Sequence, residues 1–149
     1  MIPLRQAANG PSHLALSKCY LWSNGQTITV KFLNGSDYLR SQVQTYAPRW
    51  LHDVNLRVVF VDSVKADVRV AFNHDGHWSL VGTDCLSETD QYTPTMNLDP
   101  RDLTSDIKFQ RVIPHEFGHA LGCIHEHQSP AADIQWNREF VYDKYWKEI

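Results

Sequence analysis

Long hydrophobic runs are missing from this sequence. Setting glycine aside, the longest apolar stretches, Cys19 to Trp22 and Val58 to Val61, are four residues each. A membrane-spanning helix needs roughly 20 consecutive apolar residues, so such a helix is excluded, and with it a secretory h-region. A block of lysine and arginine is missing too: 14 basic side chains are scattered among 17 acidic ones, for a formal charge of −3. A chain without a basic stripe gives the phosphate backbone of nucleic acid nothing to bind. Cysteine is scarce. Three residues, Cys19, Cys85 and Cys123, with no C-x-x-C pair, are too few and too odd in number for a disulfide scaffold, and they leave the redox compartment open. The absence of a leader fits a cytosolic protein or a mature chain whose leader has been removed.

What is present suffices for a folded core. The 149 residues make one domain on the usual prior of roughly 100–200 residues each. Hydrophobic residues make up 42% and aromatics 11%, five tryptophans among them, more than a disordered chain carries.

Residues 1–17, with Pro3, Asn9-Gly10-Pro11 and no periodicity, read as an N-terminal arm, and 18–149 as the domain. Thr27 to Leu33 alternates Ile28, Val30 and Phe32 against polar residues between two Asn-Gly turns, the period of a half-buried strand. From Ser36 or Asp37 as N-cap, Leu39, Val43, Tyr46, Ala47, Trp50, Leu51 and Val54 form a helical stripe. Pro48, which has no N–H for the carbonyl of Gln44, predicts a kink in that helix. Leu56 to Val61 is apolar on both faces apart from Arg57, which predicts a strand covered on both sides. The strand–helix–strand order then predicts a parallel crossover. Asp67 to Phe72 gives a third strand, Trp78 to Val81 a short edge strand and Thr95 to Leu98 a fifth. Thr104-Ser105-Asp106 supplies an N-cap for a second helix reaching Leu121, where Gly122 stops it. Asn137 to Trp146 has the spacing of a core-facing helix, preferred over a carbohydrate platform.

The chemistry is concentrated in residues 115–126, which read His-Glu-Phe-Gly-His-Ala-Leu-Gly-Cys-Ile-His-Glu. On a helix, His115 and His119 lie one turn apart on one face, where a single Zn²⁺ can accept both imidazoles. Glu116, about 100° round the helix, misses the metal but reaches a zinc-bound water as general base. Gly122 permits a sharp turn that brings His125 in as third ligand. Three protein ligands leave a position open for water, the mark of a catalytic zinc site. With this chain's own composition, H-E-x-x-H arises by chance in roughly one chain in seventy, and adding Gly122 and His125 makes it roughly one in thirty thousand. Histidines placed merely for packing do not account for such a pattern.

This long motif, H-E-x-x-H-x-x-G-x-x-H at His115, Glu116, His119, Gly122 and His125, resembles that of the metzincin metalloproteases, and Glu126 directly after it resembles the astacin family among them. Trp22-Ser23-Asn24-Gly25, Trp78-Ser79-Leu80-Val81-Gly82 and Thr95-Met96-Asn97-Leu98 are similar to microbial astacin-like members, so that the resemblance spans about residues 18 to 146. It implies an α+β metzincin-like domain: a twisted mixed sheet of about five strands with a backing helix and an active-site helix. It implies a zinc-dependent endopeptidase with one Zn²⁺ on His115, His119 and His125 and Glu116 as general base. An extended peptide or protein substrate would lie along Trp78, Ser79, Leu80 and Val81 by β-augmentation. Secretion is also implied by the resemblance; a nucleic-acid or membrane partner is not.

Two departures from the family pattern stand out. Pro114 precedes the first ligand, which predicts either a kinked helix or a new helix starting at Pro114. The family's methionine turn and its tyrosine lie well downstream of the third histidine, whereas here Ile149 is the last residue and the only methionines, Met1 and Met96, are upstream. The lower half of the cleft is therefore expected to be truncated. The alternative function is a zinc-binding but inactive module that holds peptides along its edge strand; retention of Glu116 argues against decay. His74-Asp75-Gly76-His77 reads as a solvated turn, with a second metal as the alternative. Cys19 reads as a buried, inert thiol, with a thiolate capping the zinc as the alternative. Cys123 reads as packing behind Gly122.

Overall fold

A computed structural model describes residues 15–52 and 54–125. The chain divides into two compact units, residues 16–124 and the two terminal segments 1–15 and 125–149. Apart from Ala15 and His125, the terminal unit lies outside the described residues, and with it the helix expected from Asn137 to Trp146, Glu126 and nearly all of the N-terminal arm.

The larger unit is a five-stranded mixed sheet carrying two helices, the α+β arrangement expected. Its strands are β2 (Thr27–Phe32), β3 (Arg57–Phe60), β4 (Val68–Ala71), β5 (Trp78–Ser79) and β6 (Met96–Asn97), in the order β3-β2-β4-β6-β5. β3, β2, β4 and β6 are mutually parallel, and β5 runs antiparallel to β6 with Trp78 opposite Asn97 and Ser79 opposite Met96. β1 (Ala15–Leu16) and β7 (Cys123–Ile124) form a separate two-stranded sheet.

β2 follows its alternation, with Ile28 and Val30 buried and Thr27 exposed. β3 does not behave as its composition predicts. It is the outer strand, bonded only to β2, and every second residue faces solvent, with Val59 43% exposed. The strand covered on both faces is β4, all four of whose residues are buried. That places the guanidinium of Arg69 inside the protein, at 1% exposure. It is held there by backbone carbonyls: Nε donates to Thr93 at 2.8 Å, Nη1 to Ala66 at 3.2 Å and Nη2 to Glu88 at 3.0 Å. The buried charge thereby ties down the connection between β5 and β6.

The first helix, α1 (Asp37–Tyr46), starts at Ser36, whose hydroxyl accepts from the Leu39 N–H at 3.3 Å. Instead of kinking at Pro48, the α-helix ends there, and Ala47–His52 continues as a 3-10 helix. The missing N–H at Pro48 removes the rung to Gln44, and the tighter winding of the next turn takes the place of a bend. Val43, Tyr46 and Ala47 are buried as the stripe predicts, whereas Val54 is exposed. The second helix, α2 (Asp106–Ala120), is one element with Pro114 inside it, so no new helix begins at that residue. Phe109, Ile113 and Phe117, each four residues from the next, pack with Val43, Val70, Met96 and Leu98 into the core. Among the described residues no helix is long and apolar enough to cross a membrane.

Removing the Arg69 side chain strands several buried or half-buried carbonyls at once, and each unmet buried polar group costs about 1–3 kcal/mol. Arg69→Ala is expected to lower the unfolding free energy by about 3 kcal/mol or more. Urea unfolding followed by far-UV circular dichroism would reject this with an unchanged midpoint.

Candidate metal centre

The histidine face and the core face of α2 follow from one helical period. His115 and His119 are offset by two residues from the Phe109–Ile113–Phe117 stripe, about 200° round the helix, so they point away from the sheet. Glu116 sits about 100° from either face, on the boundary between them. Its side chain is accordingly buried, at 5% exposure, yet it lines an open cleft of about 380 Å³ with His77, Asp102, Lys108, Arg111, Val112 and His115. Burial pushes the Glu116 carboxyl above its ordinary pKa, opposed by the nearby His119 and His77. A carboxylate that binds a proton more readily is the better base.

The end of α2 is built by Gly122. The helix is capped at Leu121, whose N–H reaches the Phe117 carbonyl at 2.9 Å, and the Gly122 N–H reaches that of His119 at 2.8 Å. Gly122 then takes φ +108°, a conformation that side chains disfavour. The reversal returns the Cys123 carbonyl to 2.8 Å from His119 Nδ1. A protonated Nδ1 donating to that carbonyl leaves the lone pair of Nε2 for a metal, the usual support of a histidine ligand.

The imidazoles of His115 and His119 meet edge to face, 4.7 Å between centroids, with Nε2 3.2 Å from Nε2. Two nitrogens bound tetrahedrally at 2.0–2.1 Å stand about 3.3 Å apart, so this pair already has the separation of two ligands on one ion. His125 joins them: one potential ligand atom from each of the three histidines lies within 4.8 Å of the others. Three imidazoles, two exposed and one half-buried, suit a transition metal of zinc's kind. Donor set and spacing both fit a metal ion.

The remaining predicted residues are distributed as follows. Trp78 and Ser79 form β5 at the sheet edge, half-buried. Leu80 and Val81 lie beyond the strand, although the Leu80 N–H still bonds the Thr95 carbonyl at 2.9 Å. The 74–77 turn is solvent-exposed at His74, Asp75 and Gly76, as its composition predicts, and it is also anchored from beneath. The Gly76 N–H bonds Asp99, buried Asn97 donates to the carbonyls of His74 and Gly76 at 3.0 and 2.6 Å, and Arg101 bridges Asp75 and Asp99. His77 accepts the Asp99 N–H at Nδ1, 3.0 Å, and sets Nε2 3.2 Å from Asp102. His77 therefore forms a wall of the cleft beside Glu116, a role that sequence reasoning missed; the run Asn97-Leu98-Asp99-Pro100-Arg101-Asp102 was the available signal. Among the described residues, the three motif histidines alone form a metal-ligand cluster of three. Cys19 is exposed rather than buried, Cys123 is buried behind the turn, and burial pushes the Cys85 thiol up to about 12.

No protein-family model matches the chain, and no curated protein does. Two solved structures of myroilysin do. One is 42% identical, with a TM-score of 0.77 over 87% of this chain and 64% of its own. The other is 37% identical, with a TM-score of 0.67 over 96% of this chain and 69% of its own. This chain thus spans roughly two thirds of the length of the myroilysin structures.

The Arg101 guanidinium and N–H hold the Asp99 carboxyl well below the usual carboxylate range. A depressed pKa stabilises the fold above the unfolded value, near 3.8, and that stabilisation is lost as pH falls below it. The melting temperature of Asp99→Asn is expected to lie below that of the parent at pH 6, with the gap closing toward pH 2.5. A gap that stays constant with pH would refute this account of the 74–77 turn.

Proposed function

Because the chain belongs to the family of metalloproteases that includes myroilysin, we propose that it is a zinc-dependent endopeptidase of the astacin-like, metzincin type. The observation that carries this reading is the convergence of His115, His119 and His125 next to a buried carboxylate that opens on a cleft. Peptides or proteins are the substrates that fit it, and an extracellular setting goes with it. Residues 18–149 would form the catalytic domain, with 1–17 as its arm.

Zinc, when bound, supplies a Lewis acid that polarises the scissile carbonyl and acidifies water. His115, His119 and His125 would hold it, His119 with its ring orientation fixed by the Cys123 carbonyl. Glu116 would take a proton from the attacking water as the C–O bond forms. It would then deliver that proton to the leaving nitrogen as the C–N bond breaks. Its burial at the rim of the core raises its affinity for that proton. β5 would align the substrate: its outer edge has no strand beyond it among the described residues, so an extended peptide can add there through backbone hydrogen bonds. Trp78, Ser79, Leu80 and Val81 are the residues assigned to that contact.

Metal analysis of the purified protein is expected to give one zinc per chain, lost in the triple His115→Ala, His119→Ala, His125→Ala variant. Zinc retained by that variant would sink the assignment. Glu116→Gln is expected to keep the metal and to lose peptide hydrolysis by about 10²-fold or more, because an amide cannot take the proton. Undiminished turnover would remove Glu116 from the mechanism, whereas a zinc-loaded parent without any peptidase activity would favour the inactive peptide-binding module.

A further inference from the structure

Two tryptophans outside the zinc motif donate to the backbone of α2 at the ends of the ligand-bearing segment. Trp22 Nε1 donates to the Ala120 carbonyl at 2.8 Å, in the core. Trp50 Nε1 donates to the Pro114 carbonyl at 2.6 Å. Ala120 follows His119 directly and Pro114 precedes His115 directly. We propose that Trp22 and Trp50 are positioning residues for the metal site, their indole N–H groups fixing residues 114–120 at both ends so that His115 and His119 keep the separation of two ligands. The inference rests on the metal-site reading above and deepens it.

Each tether acts where the helix is short of constraint. The Ala120 carbonyl lies in the last turn, where carbonyls have no donor within the helix, and Trp22 supplies one. At the other end Pro114 has no N–H, so one rung of the ladder is missing just before the first ligand; Trp50 fastens the backbone at that residue through the second lone pair of its carbonyl. The indole of Trp50 comes so close because residue 118 has no side chain: a Cβ there would stand 3.0 Å from Trp50 Cζ2 and 3.3 Å from Cε2. Trp22 is itself fixed by the strand of chain before it. The Tyr20 carbonyl accepts the Thr83 N–H at 2.9 Å, and Ser17 N–H donates to the Gly122 carbonyl at 3.0 Å. Gly82, at φ +52°, passes so near that a Cβ would lie 1.8 Å from the Tyr20 oxygen. Residues 17–22 thus bind both the turn after β5 and the turn after His119, and Trp22 is the buried anchor of that strap.

The test compares Trp22→Phe and Trp50→Phe, which keep a ring and lose the N–H, with Tyr46→Phe, which removes a hydroxyl bond to Asp106 at the far end of the same helix. Zinc affinity is read by chelator competition, ligand geometry by the visible spectrum of the Co²⁺-loaded protein, and stability by melting of the metal-free protein. Each tryptophan variant is expected to bind zinc about tenfold more weakly with an altered Co²⁺ spectrum, while Tyr46→Phe lowers the melting temperature and leaves affinity and spectrum unchanged. Gly118→Ala, which favours the helix by propensity but pushes the Trp50 ring outward, is expected to weaken zinc binding too. It keeps the test open should a tryptophan variant fail to fold. Parental affinity and spectrum in the variants that fold, or an equal loss in Tyr46→Phe, would overturn the proposal. A parent chain that takes up no zinc would instead overturn the metal-site reading beneath it.

Discussion

The Cys123 carbonyl can reach His119 Nδ1 at 2.8 Å only because the chain reverses at Gly122. That turn serves three purposes. It ends α2 by giving the His119 carbonyl a donor, it fixes the ring of the second histidine from behind, and it directs the backbone toward His125. Any residue with a Cβ at φ +108° would be strained, and the strain would fall on the His119 ring and the helix end together.

The rest of the site is a matter of dividing one helix among competing demands. A fifteen-residue helix provides a core stripe, a histidine face and a carboxylate between them. The four-residue spacing that stacks Phe109, Ile113 and Phe117 against the sheet is the spacing that pairs His115 with His119. Core packing and the pairing of the histidines therefore do not compete for positions. Glu116 has to lie on the seam, and its burial follows from the helical period rather than from any pocket of its own. Pro114, a liability for the ladder, lies between the two demands and is covered by the indole of Trp50.

Features written locally were legible in the sequence: the alternation of β2, the caps at Ser36 and Ser105, the halt at Gly122 and the spacing of the histidines. What escaped depended on distant partners. Leu56 to Val61 is apolar nearly throughout, but whether a strand lies inside or at the edge is settled by strands elsewhere in the chain, and β3 turned out to be the edge. The alternation of Asp67 to Phe72 gave no sign that Arg69 would be enclosed, because its acceptors come from loops on either side of the strand. Trp22 and Trp50 act across 98 and 64 residues, beyond any periodicity. Pro48 announced an interruption correctly, but a missing donor does not specify whether the chain bends or tightens. His77 was read within its own turn, whereas its position is set by Asp99 and Asp102.

The strand order also orders events in time. β5 precedes β6 in the chain yet hydrogen-bonds to no other strand of the sheet, so a polypeptide emerging from its N-terminus cannot secure the peptide-binding edge until residues 96–97 have followed. Only a short loop then separates β6 from α2. The edge that would receive a peptide and the helix that would cut it are thus the work of one late stretch of synthesis, and an intermediate folded only through β4 has neither.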